Sequence, residues 1–376
     1  MSLKRTKVAK IPLVFILLIL VVFFVALSGC AGGAETSETK IGVEKETTTQ
    51  VQPTETTEKQ ISEKQITGNI NILTGFGISD EVLNLRPLAI MINNHTEARP
   101  QSGLNKADVL IEVVDEGGIT RLIAVYSSKD ADIVGPIRSA RQYYAELARM
   151  FDPIYVFWGT YPEGYKLIEN MDLDVLTPLG DTTGASLIQA NISEGSDAWR
   201  DSSRVAPHNA YSSTQKLKDA AKRNGYSLEG GQSPFNFKLD ATNDDRGDVS
   251  NVKVDFSVQA FAANFEYEES TNKYTKFTGE NKDLDRETNE PLLFNNIIAL
   301  VTDIANSGDS DGHMIVRTTG NGKALFFFDG NVTEGTWERT SIFDPMQFKD
   351  SNGDTVLFNR GSTYIGMVQE TDRIIY

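Results

Sequence analysis

The sequence contains little cysteine and little histidine. Among its 376 residues there are one cysteine and three histidines. A single cysteine excludes a disulfide framework and a zinc site built from several cysteines. The histidines show no His-x-x-x-His or similar metal-binding spacing. From these absences we expect no metal site and no cofactor.

Basic charge is also scarce. The chain has 36 Lys and Arg against 52 Asp and Glu, which gives a formal net charge of −16. Binding to nucleic-acid phosphates requires a basic face. The composition therefore excludes nucleic acid as a partner and argues against binding anionic lipid headgroups over a broad surface. A local basic pocket is still compatible with this balance.

The N-terminus has the pattern of a bacterial lipoprotein signal. Four basic residues lie within residues 4–10, and residues 11–25 are almost entirely apolar. This run is shorter than the roughly 20 apolar residues of a transmembrane helix. It ends in Leu27-Ser28-Gly29-Cys30, an apolar residue and two small ones before the only cysteine. We predict a signal peptide over 1–29 and a lipid on Cys30 that anchors the chain to the outer face of the cytoplasmic membrane.

The mature chain is predicted to contain a tether and two domains. Residues 30–66 are rich in Thr, Glu, Gln and Lys and cannot bury enough apolar surface to fold, so we expect a disordered tether. Residues 67–228 mix strand and helix patterns, whereas residues 252–376 show short alternating strands separated by turns. Residues 229–251 are predicted to connect them. The predicted fold class is α+β, with a mixed α/β domain followed by a mostly antiparallel β domain.

Particular elements support this division. The apolar run Leu88–Ile92 predicts a buried strand, and Asp115-Glu116-Gly117-Gly118 predicts a turn between two neighbouring strands. Residues 139–151 have helical spacing. Ser139 is a favourable N-cap, and Gln142 lies at the reciprocal capping-box position. We therefore predict that this helix begins at Ser139.

Several longer motifs resemble the YerB-like bacterial lipoproteins, a family of unknown biochemical function with paired N-terminal and C-terminal parts. The similarity covers nearly everything from about Arg86 to Val368. The motifs that carry it lie at residues 86–94, 98–104, 116–121, 135–141, 207–209 and 359–364. The resemblance implies a membrane-attached, extracytoplasmic protein and brings no established reaction.

The segment Gly135–Arg141 is the best candidate for a binding site. Arg138 and Arg141 flank the predicted helix start, where free N–H groups and the helix dipole favour anions. The planar fork of arginine suits bidentate contact with phosphate or carboxylate. The alternative is a structural network in which Asp108, Asp115 or Glu116 neutralises these arginines.

If the strands that begin near Leu88 and Ile119 are adjacent, their loop ends converge on this helix start. One polar pocket would then contain seven side chains. The predicted pocket residues are Asn94, His95, Arg99, Glu116, Arg121, Arg138 and Arg141. The other two histidines are interpreted differently, His208 as a loop residue before a helix and His313 as a turn residue.

We predict a non-enzymatic binding or interaction module of the cell envelope, which binds an anionic envelope ligand or an envelope protein. The alternative is an envelope enzyme acting on a phosphorylated or lipid-linked glycan substrate. Arg138 after Gly-Pro-Ile faintly resembles the LytR-CpsA-Psr phosphotransferases, although Ser139-Ala140 stands where their aspartate follows. A pocket with an unpaired carboxylate would favour the enzyme, and arginines fully paired with Asp115 or Glu116 would favour the binding or structural role.

Overall fold

The computed structural model describes residues 65–78 and 85–376. The predicted signal peptide, Cys30 and nearly all of the predicted tether lie outside the described residues, so those interpretations stay predictions. All described residues belong to one structural unit. Within them, no helix has the length and apolar character needed to cross a membrane.

Three α-helices and twenty-two strands make up the described part of the chain. The helices are α1 (Gln142–Arg149), α2 (Pro162–Glu169) and α3 (Thr214–Arg223). The strands of the N-terminal half are β1 (Leu88–Asn93), β2 (Val109–Val114), β3 (Thr120–Tyr126), β4 (Ile154–Val156), β5 (Asp174–Leu176), β6 (Trp199–Arg200), β7 (Ala210–Tyr211) and β8 (Asn236–Lys238). Those of the C-terminal half are β9 (Asn251–Val254), β10 (Ala263–Glu268), β11 (Lys273–Thr278), β12 (Asn281–Lys282), β13 (Leu293–Phe294), β14 (Asn296–Val301), β15 (Ile304–Asn306), β16 (Met314–Val316), β17 (Gly320–Phe328), β18 (Asn331–Arg339), β19 (Gln347–Asp350), β20 (Leu357–Asn359), β21 (Thr363–Val368) and β22 (Ile374–Ile375).

A ten-stranded mixed sheet forms the centre of the fold. Its order is β19-β18-β17-β14-β21-β2-β3-β1-β4-β5, with the parallel pair β21–β2 joining strands of the two halves. Every residue of β1, β2, β3 and β21 is buried. Such continuous apolar strands are typical of sheets covered on both faces. Strands from both predicted domains therefore share one sheet and one core.

A second, antiparallel sheet is built entirely from the C-terminal half. Its order is β12-β11-β10-β9-β22, with β13 also pairing with β11. In β11 buried and half-buried residues alternate, as expected for a strand with one face toward the core. This sheet packs against the central one through Phe265, whose ring lies 4.7 Å from that of Tyr364 between centroids.

The predicted α+β class is confirmed, while the predicted start of the first helix was wrong. Helix α1 begins at Gln142 and not at Ser139, because Arg141 is still extended and the Ser139 hydroxyl donates to the Trp158 carbonyl at 3.2 Å. Strand β8 lies inside the predicted connection 229–251 and pairs with β20. The domain boundaries at 228 and 252 stay a prediction.

A buried ion pair joins the two sheets. The carboxylate of Glu112 on β2 lies 3.4 Å from the ammonium of Lys276 on β11, and both side chains are almost completely buried. Lys276 also contacts Asp283 at 2.7 Å. Burial alone would lower the pKa of Lys276, but the charges of Asp283 and Glu112 raise it above its ordinary value. The Tyr364 hydroxyl donates to the same Glu112 oxygen that faces Lys276, and Asn94 and Thr120 donate to the other oxygen.

Replacing Lys276 should destabilise the fold strongly. Lys276→Ala leaves Glu112 buried without its cation, which we expect to lower the free energy of unfolding by about 3–5 kcal/mol. Lys282→Ala, on the exposed strand β12, should change it by less than about 0.5 kcal/mol. Denaturant unfolding of the two variants measures the difference. Equal, small effects would contradict a structural role for the buried pair.

Candidate functional site

The candidate site lies at one edge of the central sheet, where β1 and β2 end and β3 begins. Both strands run antiparallel to β3, so their carboxyl ends lie at the same edge. Asn93, the last residue of β1, is opposite Arg121 at the start of β3. Asp115 and Glu116 follow directly after β2. The strand order therefore places these polar residues together.

Arg138 reaches this edge through an irregular segment that runs beside β1. The Arg138 N–H donates to the Met91 carbonyl at 2.9 Å, and the Trp158 N–H donates to the Arg138 carbonyl at 3.0 Å. The backbone of Arg138 is thus fixed between β1 and the residues that follow β4. Three residues later, Arg141 is the N-cap of α1.

These elements surround a cleft of about 430 Å³. Its walls carry three arginines, three carboxylates and all three histidines of the chain. The lining residues are Asn93, His95, Asp115, Glu116, Ile119, Arg121, Arg138, Arg141, His208, Asp311 and His313. A chain with so few histidines thus has all of them in one cleft.

Two of the arginines are paired with two acids. Arg121 forms ion pairs with Asp115 and, at 3.2 Å, with Glu116, and it also donates to the Ser139 carbonyl at 2.6 Å. Arg141 contacts Glu116 through both Nε and Nη2. Asp115 also accepts from the Tyr143 hydroxyl at 2.8 Å. These four charged residues form a closed ion-pair cluster.

The electrostatics of Glu116 reflect this cluster. Burial alone would raise the pKa of Glu116, but the hydrogen bonds from Arg141 and the charges of Arg141 and Arg121 lower it to about 2. The carboxylate is therefore ionised throughout the neutral range and is stabilised by the two guanidinium groups.

Arg138 differs from its two neighbours. Its guanidinium has no hydrogen-bond acceptor and no carboxylate within 4 Å among the described residues. Burial and the nearby positive charges of Arg121 and Arg141 lower its pKa to about 10. The N–H groups of Gln142, Tyr143 and Tyr144 at the start of α1 also donate to no acceptor in the part of the chain described, but Gln142 and Tyr143 line a neighbouring cavity of about 210 Å³ and not this cleft. The cleft itself therefore presents an unpaired positive charge at Arg138.

His95 and His208 form a stacked pair with ring centroids 4.7 Å apart. Nδ1 of His208 lies 2.8 Å from the Asn93 amide nitrogen, and its Nε2 lies 3.3 Å from a carboxylate oxygen of Glu97. Burial, followed by the nearby charges of His95 and Arg138, lowers the pKa of His208.

His313 reaches the cleft from the loop between β15 and β16 in the C-terminal half. Its Nδ1 lies 2.7 Å from a carboxylate oxygen of Asp309, and its ring contacts Tyr161 with centroids 4.7 Å apart. Nε2 of His313 lies 3.9 Å from Glu116. The cleft wall therefore includes residues of both halves of the chain.

Five of the seven predicted pocket residues line this cleft: His95, Glu116, Arg121, Arg138 and Arg141. Asn94 instead points into the core, where its amide donates to Glu112 and Thr120. Arg99 donates to the Asn94 carbonyl at 2.9 Å and lines a separate cavity of about 300 Å³. Asn94 and Arg99 therefore hold the turn after β1 in place without lining the cleft.

Sequence reasoning missed His208 and His313 as cleft residues. His208 does lie in a loop before α3, as predicted, but that loop folds back onto the end of β1. The motif Pro207-His208-Asn209, which contributed to the family resemblance, was the one signal that could have identified it. His313 follows an ordinary turn sequence and carried no such signal.

Two family models match the chain. Residues 73–227 match the N-terminal domain of "Protein of unknown function (DUF3048)", and residues 252–365 match its C-terminal domain. The chain is 34% identical over 305 residues to "Putative lipoprotein YerB" of Bacillus subtilis, covering 80% of this chain and 86% of the relative. The crystal structure of the YerB protein from Bacillus subtilis superposes with a TM-score of 0.70 at 32% identity, over 81% of this chain and 98% of that one.

The lowered pKa of Glu116 predicts a pH-dependent stability. Its folded-state pKa of about 2 lies below the unfolded value of about 4.3, so its stabilisation is complete above that value and is lost as the pH falls toward 2. Glu116→Gln should therefore lower the free energy of unfolding at pH 7 by on the order of 2–3 kcal/mol, and by less at pH 3.5. Denaturant unfolding at both pH values measures this.

Glu334→Gln, an exposed position on β18, is the matched control and should have little effect at either pH. A Glu116→Gln effect that is the same at pH 7 and pH 3.5 would contradict the lowered pKa of Glu116 in the folded chain.

Proposed function

This chain belongs to the YerB-like family of proteins of unknown function, and from that membership we propose that it is a lipid-anchored binding protein of the cell envelope. The lipobox Leu27-Ser28-Gly29-Cys30 and the similarity to a protein named as a lipoprotein support the anchor. In this proposal Cys30 is acylated, residues 30–66 form a tether, and the folded part lies on the outer face of the cytoplasmic membrane.

The proposed ligand carries a phosphate or carboxylate group that binds at Arg138. The observation that carries this proposal is the unpaired, half-buried guanidinium of Arg138 in a cleft of about 430 Å³. An anionic ligand would supply the negative charge that Arg138 lacks.

The state of the carboxylates favours binding over catalysis. Asp115 and Glu116, the acids nearest the arginines, are both held in ion pairs with Arg121 and Arg141. Neither is free to act as a base. The third acid of the cleft, Asp311, forms no ion pair among the described residues, but it is solvent-exposed and lies in the loop between β15 and β16, where no contact fixes its side chain. On balance this geometry supports a binding module more than an enzyme of lipid-linked glycans.

Lipidation predicts a specific chemical product at Cys30. In cells given an alkyne-tagged fatty acid, the full chain should be labelled, and Cys30→Ala should not be. Ser28→Ala keeps a small residue before the cysteine and should be labelled like the wild type. Mass spectrometry should also show that residues 1–29 are removed. An unlabelled wild-type chain that keeps residues 1–29 would contradict the proposed anchor.

Anion binding at Arg138 can be tested by calorimetry with inorganic phosphate and pyrophosphate, using the full chain in detergent. Arg138→Gln removes the positive charge and the N–H donors of the guanidinium, and it should weaken anion binding by about tenfold to a hundredfold. Arg138→Lys keeps the charge but loses the planar fork, so its affinity should lie between those of the wild type and Arg138→Gln.

Arg373→Gln, near the C-terminus and 39% exposed, is the control for a general loss of positive charge. It should bind phosphate as the wild type does. Wild-type chain that binds neither probe, or an equal loss in both glutamine variants, would contradict an anion site at Arg138.

A further inference from the structure

Against the expectation from the histidine spacing that the chain has no metal site, we propose that His95, Glu97 and His208 form a binding site for a divalent transition metal ion, with zinc the best match. This goes beyond the anion site and does not depend on it. One metal-binding atom from each of the three side chains can be chosen so that all three lie within 4.8 Å of one another. No other group of three or more His, Cys, Asp or Glu side chains among the described residues is arranged in this way.

The three side chains come from two segments that the fold brings together. His95 and Glu97 lie in the turn after β1, whereas His208 precedes β7, more than a hundred residues later in the chain. Nε2 of His208 is 3.3 Å from Glu97 and Nδ1 of His95 is 3.9 Å from it. Ligand atoms around a tetrahedral zinc ion are slightly more than 3 Å apart, given zinc–ligand bonds of about 2.0–2.2 Å. Nδ1 of His95 accepts a bond from the Glu97 N–H at 3.2 Å, so coordination through this atom requires a rotation of His95 that breaks the bond.

The ligand types favour zinc over magnesium or calcium. Two imidazoles and one carboxylate suit zinc and related metals, whereas Mg²⁺ and Ca²⁺ are bound mainly by oxygen atoms. Two histidines and one glutamate, with a fourth position open, are also the protein ligands of known zinc enzymes. His95 and His208 line the same cleft as Arg138, so an open coordination position would be accessible to a ligand in that cleft.

The contact between Asn93 and His208 limits the affinity for zinc that we expect. The Asn93 amide nitrogen faces Nδ1 of His208, so the proton of the neutral imidazole lies on Nε2, toward Glu97. Coordination through Nε2 moves that proton to Nδ1 and requires the Asn93 side chain to turn its oxygen toward it. Turning breaks the bond that this oxygen accepts from the His95 N–H at 3.0 Å. We therefore expect weaker, micromolar binding than in preformed structural zinc sites.

The test uses the full chain in detergent, without a histidine tag and without phosphate, after removal of metals with a chelator. Titration with zinc should show one ion bound per chain, and cobalt(II) should give the visible absorption of a tetrahedral site. His95→Gln and His208→Gln should each weaken zinc binding by at least about tenfold. His313→Gln is the matched control, because it removes the remaining histidine, and it should keep both the stoichiometry and the cobalt spectrum.

Glu97→Gln guards against variants that fail to fold, since this side chain is 71% exposed and its removal should not affect stability. It should weaken zinc binding and leave the unfolding midpoint of the metal-free chain unchanged. The absence of saturable zinc binding by the wild type would overturn the proposal. So would a loss in His313→Gln as large as that in His208→Gln, or unchanged binding in Glu97→Gln and both cluster histidine variants.

Discussion

The buried carboxylate of Glu112 is the constraint on which the arrangement of this fold depends. A charge removed from water is tolerated only when its oxygens are satisfied by a counter-charge and by hydrogen bonds. Here the satisfying groups come from distant parts of the chain: Lys276 from the second sheet, Tyr364 from strand β21 of the C-terminal half, and Asn94 from the turn after β1. Satisfying Glu112 therefore requires both halves of the chain to be assembled around β2.

The same constraint reaches the cleft through Asn94. Its amide group donates to Glu112 and Thr120, while its backbone carbonyl accepts two bonds from Arg99. These bonds hold the turn that follows β1 against the core. His95 and Glu97 project from that turn. Their position next to His208 therefore depends on the bonds that Asn94 makes to the buried carboxylate of Glu112.

The pattern of apolar residues was enough to predict the central strands and the α+β class, because a long apolar run is buried whichever position its strand takes in the sheet. It failed at the start of α1, where the capping sequence of Ser139 and Gln142 was overridden by a tertiary bond from Ser139 to Trp158. That two side chains meet in the cleft could be predicted only when their strands are neighbours in the sheet. Arg121 and Glu116 were found because β2 and β3 are joined by a short turn, whereas nothing local indicates that His208 or His313 returns to the same edge.

The pairing of the arginines decides where the proposed anionic ligand would bind. At Arg121 or Arg141 an incoming anion would have to displace Asp115 or Glu116 and leave that carboxylate partly buried without its partner, which costs several kcal/mol. At Arg138 there is no such cost, because the nearby acids Asp115 and Glu116 are paired with the other two arginines. The backbone of Arg138 is also fixed, between β1 and Trp158. Binding there adds a charge pair without breaking one. The ion-pair cluster is thus a fixed wall of the cleft, and in the proposed site the favourable charge interaction would come from Arg138, the cleft arginine that the cluster leaves unpaired.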